Sequence, residues 1–176
     1  MLSAEFKLEI CVIIYHMEKI NIYIDGNNLY RSAKELGFEL DYKKFRVWLS
    51  QKYETRNIFL FIGYLENRKD FYNYLKDCGF NLIFKKAVLH EGNIKGNCDA
   101  ELVLKSVDDY HLKNFDKFIL ISNDGDFGCL IEFIINKNCF EIILSPDINK
   151  CSILLRNKTN KILYLNEIYK KFSKKK

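Results

Sequence analysis

Five short apolar runs set the architecture of this 176-residue chain, each closed by a polar or turn-forming residue: INIYID at 20–25, NIFLFIG at 57–63, FNLIF at 80–84, KFILIS at 117–122 and FEIIL at 140–144, with a weaker sixth, KILYL, at 161–165. Near-continuous runs of this length suit strands covered on both faces. Stretches with helical spacing lie between them, at 27–36, 42–52, 68–77, 98–111, 127–137, 151–156 and 167–173. Asp41 and Asn166 stand at expected N-caps, and Gly79 follows Cys78 where a helix should stop. The alternation predicts a three-layer α/β/α sandwich around a central, mainly parallel sheet of five or six strands.

One domain, residues 19–169, accounts for this pattern, with no internal repeat, low-complexity segment or Gly/Ser linker inside it. Residues 1–18 stand apart as an N-terminal extension, because Met17 directly precedes EKINIYIDGNN; an added edge strand, a packed segment and a start-codon artefact all remain open. Residues 170–176 form a basic C-terminal tail, expected to be solvated and frayed. Its five lysines carry the whole net charge of +5, since basic and acidic residues balance elsewhere. The body is therefore not a basic nucleic-acid surface as a whole.

The six cysteines, at 11, 78, 98, 129, 139 and 151, show no C-x-x-C pair and no short Cys/His spacing, which predicts reduced thiols in a cytoplasmic protein rather than a zinc site. ICVIIY is far short of a membrane span and lacks a basic leader before it, so neither membrane contact nor export is expected. His16, His90 and His111 are too scattered for a general-base or zinc argument.

The chemistry-bearing residues are acids. Asp25 closes the first strand in YIDGNNLY, and Asp124 follows the fourth in ISNDGDF, one residue from Asp126. Ligands of open parallel sheets bind beyond the carboxyl ends of strands, where strand order reverses, so Asp25 and Asp124 share a crevice if their strands are neighbours there. Asp99 joins them from the first turn of a helix that Asn97 could cap; Glu101, Asp108 and Asp109 fall off that face and read as solvated charges. Converging carboxylates call for a neutralising cation, and an all-oxygen site suits Mg²⁺ or Mn²⁺. Plainer roles stand beside this one: a turn at Asp25-Gly26, a helix cap at Asp126, a dipole-stabilised acid at Asp99, a backbone bond at Asn28. Lys95, in what reads as a flexible loop, could reach a phosphate. Tyr30, Tyr64, Tyr72 and Tyr74 are offered to helix–sheet contacts before base stacking, and Trp48 to the core.

The motifs YIDGNNLY, KGNCDAELVL, ISNDGDFGCLIEFI and LSPDINKCSILLR, spread over roughly residues 19–168, resemble those of the NYN domain family, the LabA-like branch of the PIN-like ribonucleases. The resemblance implies a PIN-like fold and a metal-dependent nuclease acting on RNA. By position it implies that Asp25, Asp99, Asp124 and Asp126 surround the metal with Asn28 beside them, that Lys95 and Ser122 adjoin the cluster, and that Lys150, Ser152 and Arg156 contact substrate. Asn123 and Asn27 stand where relatives of this kind often carry smaller residues, which bears on the shape of the groove.

Three classes of function follow. The leading one is a divalent-metal-dependent ribonuclease, with Mg²⁺ or Mn²⁺ as cofactor, RNA as partner and a homodimer allowed. The alternative is a catalytically weak RNA-binding or adaptor module with the same pocket. A phosphatase or phosphotransferase is disfavoured because no second acid stands two positions after Asp25, and a P-loop NTPase because no G-x-x-x-x-G-K-[ST] motif occurs.

Overall fold

The computed structural model describes residues 18–174 except 87, 91, 92, 96 and 97, and only the backbone of 86, 88–90 and 93–95. The N-terminal extension up to residue 17 and the Asn97 cap lie outside the described residues. Strands β1 (Ile20–Asp25), β2 (Asn57–Tyr64), β3 (Asn81–Lys86), β6 (Lys117–Ile121), β7 (Phe140–Ser145) and β8 (Ile162–Tyr164) form one sheet in the order β3-β2-β1-β6-β7-β8, every pair parallel. Strand order reverses between β1 and β6, the two strands that lead into Asp25 and Asp124.

Strand alternation sends successive side chains to opposite faces. Ile22 and Ile24 of β1 join one core with Leu29 of α1 (Gly26–Glu35), Phe45 and Leu49 of α2 (Tyr42–Tyr53) and Leu75 of α3 (Lys69–Asp77). Tyr23, between them, joins the other core with Leu102 of α4 (Asp99–His111), Ile131 and Ile134 of α5 (Gly128–Asn136) and Leu155 of α6 (Ile153–Arg156). Each such fully buried side chain contributes about 1.5–3 kcal/mol relative to exposure, so the two cores clamp the sheet between helical layers.

Three segments depart from expectation. Val88–His90 (β4) and Asn93–Lys95 (β5) pair antiparallel where the sequence reads as a loop; three-residue strands are too short to show a periodicity. The helix expected at 167–173 is replaced by single 3₁₀ turns at Leu165–Glu167 and Tyr169–Lys171, because Asn166 does not cap it: its Oδ1 accepts from the Ile148 N–H at 3.1 Å. Nor is the basic tail frayed as far as Lys174. Phe172 is buried against Phe45 and Trp48, its carbonyl accepts from the Asp41 N–H, and Lys174 pairs with Glu39. Trp48 is half-buried at this seam rather than in the core proper.

Candidate metal centre and groove

Both strand-end aspartates are held by the turns that follow them. Asp25 caps α1, its Oδ1 accepting from the Asn28 N–H at 3.0 Å, while its Oδ2 accepts from Ser122 Oγ–H at 3.2 Å. Ser122 Oγ in turn accepts from the Asp124 N–H at 3.1 Å, and Asp124 Oδ1 from the Asp126 N–H at 3.0 Å. The chain Asp25–Ser122–Asp124–Asp126 thus ties the ends of β1 and β6 together. Asp124, not Asp126, caps the turn at Gly125–Phe127, and no side chain caps α5.

Two glycines permit this geometry. A Cβ on Gly26 would stand 2.6 Å from the Phe61 carbonyl oxygen of β2, so only glycine lets α1 start this close to the sheet. A Cβ on Gly125 would overlap Ser152 Oγ, which caps α6 through the Leu154 N–H.

One carboxylate oxygen each from Asp99, Asp124 and Asp126 lies within 4.8 Å of the others. Like charges at that separation repel by on the order of 1 to 3 kcal/mol per pair, depending on how far water screens them. Asp25 borders this trio and is buried. Its pKa is pushed up to about 6, first by burial and then by the charges of Asp99 and Asp124, against the pull of the Asn28 N–H and the Ser122 hydroxyl. Cys98, buried just ahead of Asp99, has its thiol raised to about 11, first by burial. The donor set is hard oxygen. Asp99, Asp124 and Asp126, three carboxylates gathered at one edge, would supply oxygen ligands to a hard divalent ion such as Mg²⁺ or Mn²⁺.

The remaining sequence-derived residues separate. Asn28 Oδ1 accepts from the Asn123 N–H at 3.0 Å, leaving only its NH₂ for a phosphate. Ser122 has no accessible surface, so a direct contact to RNA gives way to its bond to Asp25. Ser152 abuts Gly125 and donates its N–H to the Asn123 carbonyl. Lys150 is paired with Glu35, and Arg156 folds back on the Cys151 carbonyl through Nε at 3.0 Å and Nη2 at 2.6 Å, so neither cation faces the acids unengaged. The Lys95 backbone belongs to β5, and its side chain lies outside the described residues. Asp109 is not a solvated charge: it is buried and takes Tyr23 O–H at 2.8 Å, Lys105 Nζ at 2.6 Å and Asn114 Nδ2 at 2.8 Å. Glu101 pairs with Lys85, and Asp108 is exposed as expected.

Two features escape the sequence reading. Asn123 is a buried junction: Nδ2 donates to Ser32 Oγ at 3.1 Å, and Oδ1 accepts from Ser145 Oγ–H at 2.5 Å and the Asp147 N–H at 3.3 Å. The second is an open groove of about 780 Å³ that runs from Asp25 and Asp124 along α1 toward α3, with Tyr30, Arg31, Lys34 and Arg68 on its walls. Tyr42 lies in it too, its hydroxyl raised to about 12 by burial and then by neighbouring Tyr30 and Tyr74, with Arg68 pulling the other way. The spacing 27, 30, 31, 34 on one helix is the signal that could have found this stripe. Tyr72, by contrast, is buried and bridges Gly63 and Leu65 through its hydroxyl, the helix–sheet contact expected of it.

An open parallel sheet that gathers carboxylates at its switch point, with a groove leading from them, has the layout of an α/β domain that binds its ligand beyond the carboxyl ends of the strands. The chain belongs to the NYN domain family, whose profile matches residues 19–166, and that family is part of a nuclease superfamily. It is similar to the low amplitude and bright protein LabA of Synechococcus elongatus (strain ATCC 33912 / PCC 7942 / FACHB-805), 25% identical over 165 residues, which cover 88% of this chain and 87% of LabA. Its fold matches the crystal structure of a protein of unknown function, VPA0982, from Vibrio parahaemolyticus RIMD 2210633, with a TM-score of 0.75 and 23% identity over 91% of this chain and 98% of that one. Among the described residues, no helix is long and apolar enough to cross a membrane.

Proposed function

We propose that the protein is a divalent-metal-dependent ribonuclease, using Mg²⁺ or Mn²⁺ and hydrolysing RNA phosphodiester bonds at the edge where the strands end. The observation that carries this reading is the trio Asp99, Asp124 and Asp126, whose oxygens lie within 4.8 Å, with buried Asp25 alongside. Asp99, Asp124 and Asp126 would hold the ion, with Asp25 as the fourth acid. The chemistry supplied by a hard divalent cation held there is activation of water near neutral pH and neutralisation of charge on a phosphodiester.

The chain's own residues do the positioning. Ser122 and the Asn28 N–H fix both oxygens of Asp25, and the Asp126 N–H fixes one oxygen of Asp124, so the acids are oriented before anything binds. The Asn28 NH₂ donors are available to a phosphate oxygen beside them. Without metal, Asp25 is ionised above about pH 6; a divalent cation beside it favours the carboxylate further, so activity of the metal-loaded protein should fall only at lower pH.

Cleavage of single-stranded and structured RNAs with Mn²⁺, Mg²⁺ or EDTA tests the proposal, with Asp124→Asn as control. The expected result is metal-dependent cleavage, reduced at least about a hundredfold by the substitution. Full activity in EDTA, or in folded Asp124→Asn, would contradict it. Salt-dependent RNA binding by the wild type without cleavage under any divalent metal would support the RNA-binding or adaptor reading instead.

A further inference from the structure

The groove along α1 has no role in the chemistry above, yet it opens directly from the acids. Helix α1 buries Gly26, Leu29, Ser32 and Ala33 and so turns Tyr30, Arg31 and Lys34 outward. Tyr30 and Lys34 are one turn apart, and the stretch from residue 27 to residue 34 extends about 10 Å along the helix axis. Arg68, from the turn ahead of α3, stands across the groove. Among the described residues none of these three cations has an ion-pair partner, whereas Lys150, Lys158 and Lys174 each do. Tyr30 is 54% exposed, its ring open to solvent on the groove wall.

An exposed ring between unpaired cations, leading away from a carboxylate cluster, suits one class of ligand. Cations contact phosphates without regard to sequence, and an aromatic face takes up a base only if that base is free of its own stack and pair. A duplex offers phosphates but no free base face.

We propose that Tyr30, Arg31, Lys34 and Arg68 form the track of an unpaired nucleic-acid strand leading to the acids, with one base stacked on Tyr30 and phosphates held by the three cations. This rests on the nuclease reading for the position of the scissile bond, but not for the binding itself. It places the strand on the α1 side of the sheet edge rather than along Lys150, Ser152 and Arg156.

The test is fluorescence anisotropy of a short labelled single-stranded RNA and of its blunt duplex, in the non-cleaving Asp124→Asn background. Tyr30→Ala should weaken strand binding about tenfold and leave duplex binding unchanged, while Tyr30→Phe, which keeps the ring, should bind as the parent does. Arg68→Gln should lower the slope of log affinity against log salt by about 0.7. No strand binding by the parent, unchanged binding by Tyr30→Ala, or equal loss in Tyr30→Phe would overturn the proposal. A parallel cleavage assay of the wild type with Mn²⁺ separates the two readings. Tyr30-dependent binding without cleavage removes the nuclease and keeps the track; cleavage with Tyr30-independent binding does the reverse.

Discussion

Asp25 carries opposed demands. Its position at the end of a buried strand withdraws water from the carboxylate, and Asp99 and Asp124 add like charge, while a capped N–H and a serine hydroxyl hold it in place. Without metal, the native state binds this proton with a pKa of about 6, against about 3.9 in the unfolded chain. Between those values the native state holds more protons than the unfolded one. The contribution of Asp25 to stability is therefore complete below about pH 4 and is lost as pH rises through 6. Asp25→Asn, which keeps an oxygen for the Asn28 N–H, should then stabilise the metal-free protein at pH 7.5 by up to about 3 kcal/mol and change little at pH 4. Urea unfolding in EDTA at the two pH values checks this, and a pH-independent difference would count against it. The acids were legible because each closes a strand or opens a helix. Asn123 was not, since its partners Ser32, Ser145 and Asp147 come together only once strand order is known. Asp109 was hidden by its charge: Leu102, Ser106 and Asp109 share one buried face of α4, a spacing present in the sequence but discounted for an acid.

At the scale of elements, the site depends on how closely α1 approaches β2. The Gly26 Cα faces the Phe61 carbonyl with no room for a methyl group, and backbone cannot yield as a side-chain tip can. Gly26→Ala should cost about 1–3 kcal/mol and shift the start of α1, and with it Asp25 and Asn28. The expected outcome is a lowered melting temperature together with a loss of metal affinity; an unchanged melting curve would show that α1 is not fixed there. The six sheet strands were legible as apolar runs, and most helix ends as caps. What the sequence concealed was short or tertiary: three-residue β4 and β5 carry no period, and the C-terminal turns are set by Phe172 docking onto α2 rather than by local propensity.

For the whole molecule, parallel strand order makes distant residues neighbours at a single edge. Positions 25, 99 and 124 come from different crossovers and meet because β1 and β6 are adjacent at the reversal. Net charge misleads at this scale, since the balanced body conceals a local stripe of Arg31, Lys34 and Arg68 along the groove. Catalysis at this edge requires a cation among the acids. Calorimetric titration of metal-stripped protein with Mn²⁺, wild type against Asp124→Asn, measures that directly. Saturable binding by the wild type, weakened at least about tenfold by the substitution, is the predicted result; no binding by the wild type, or the same affinity in both proteins, would contradict it.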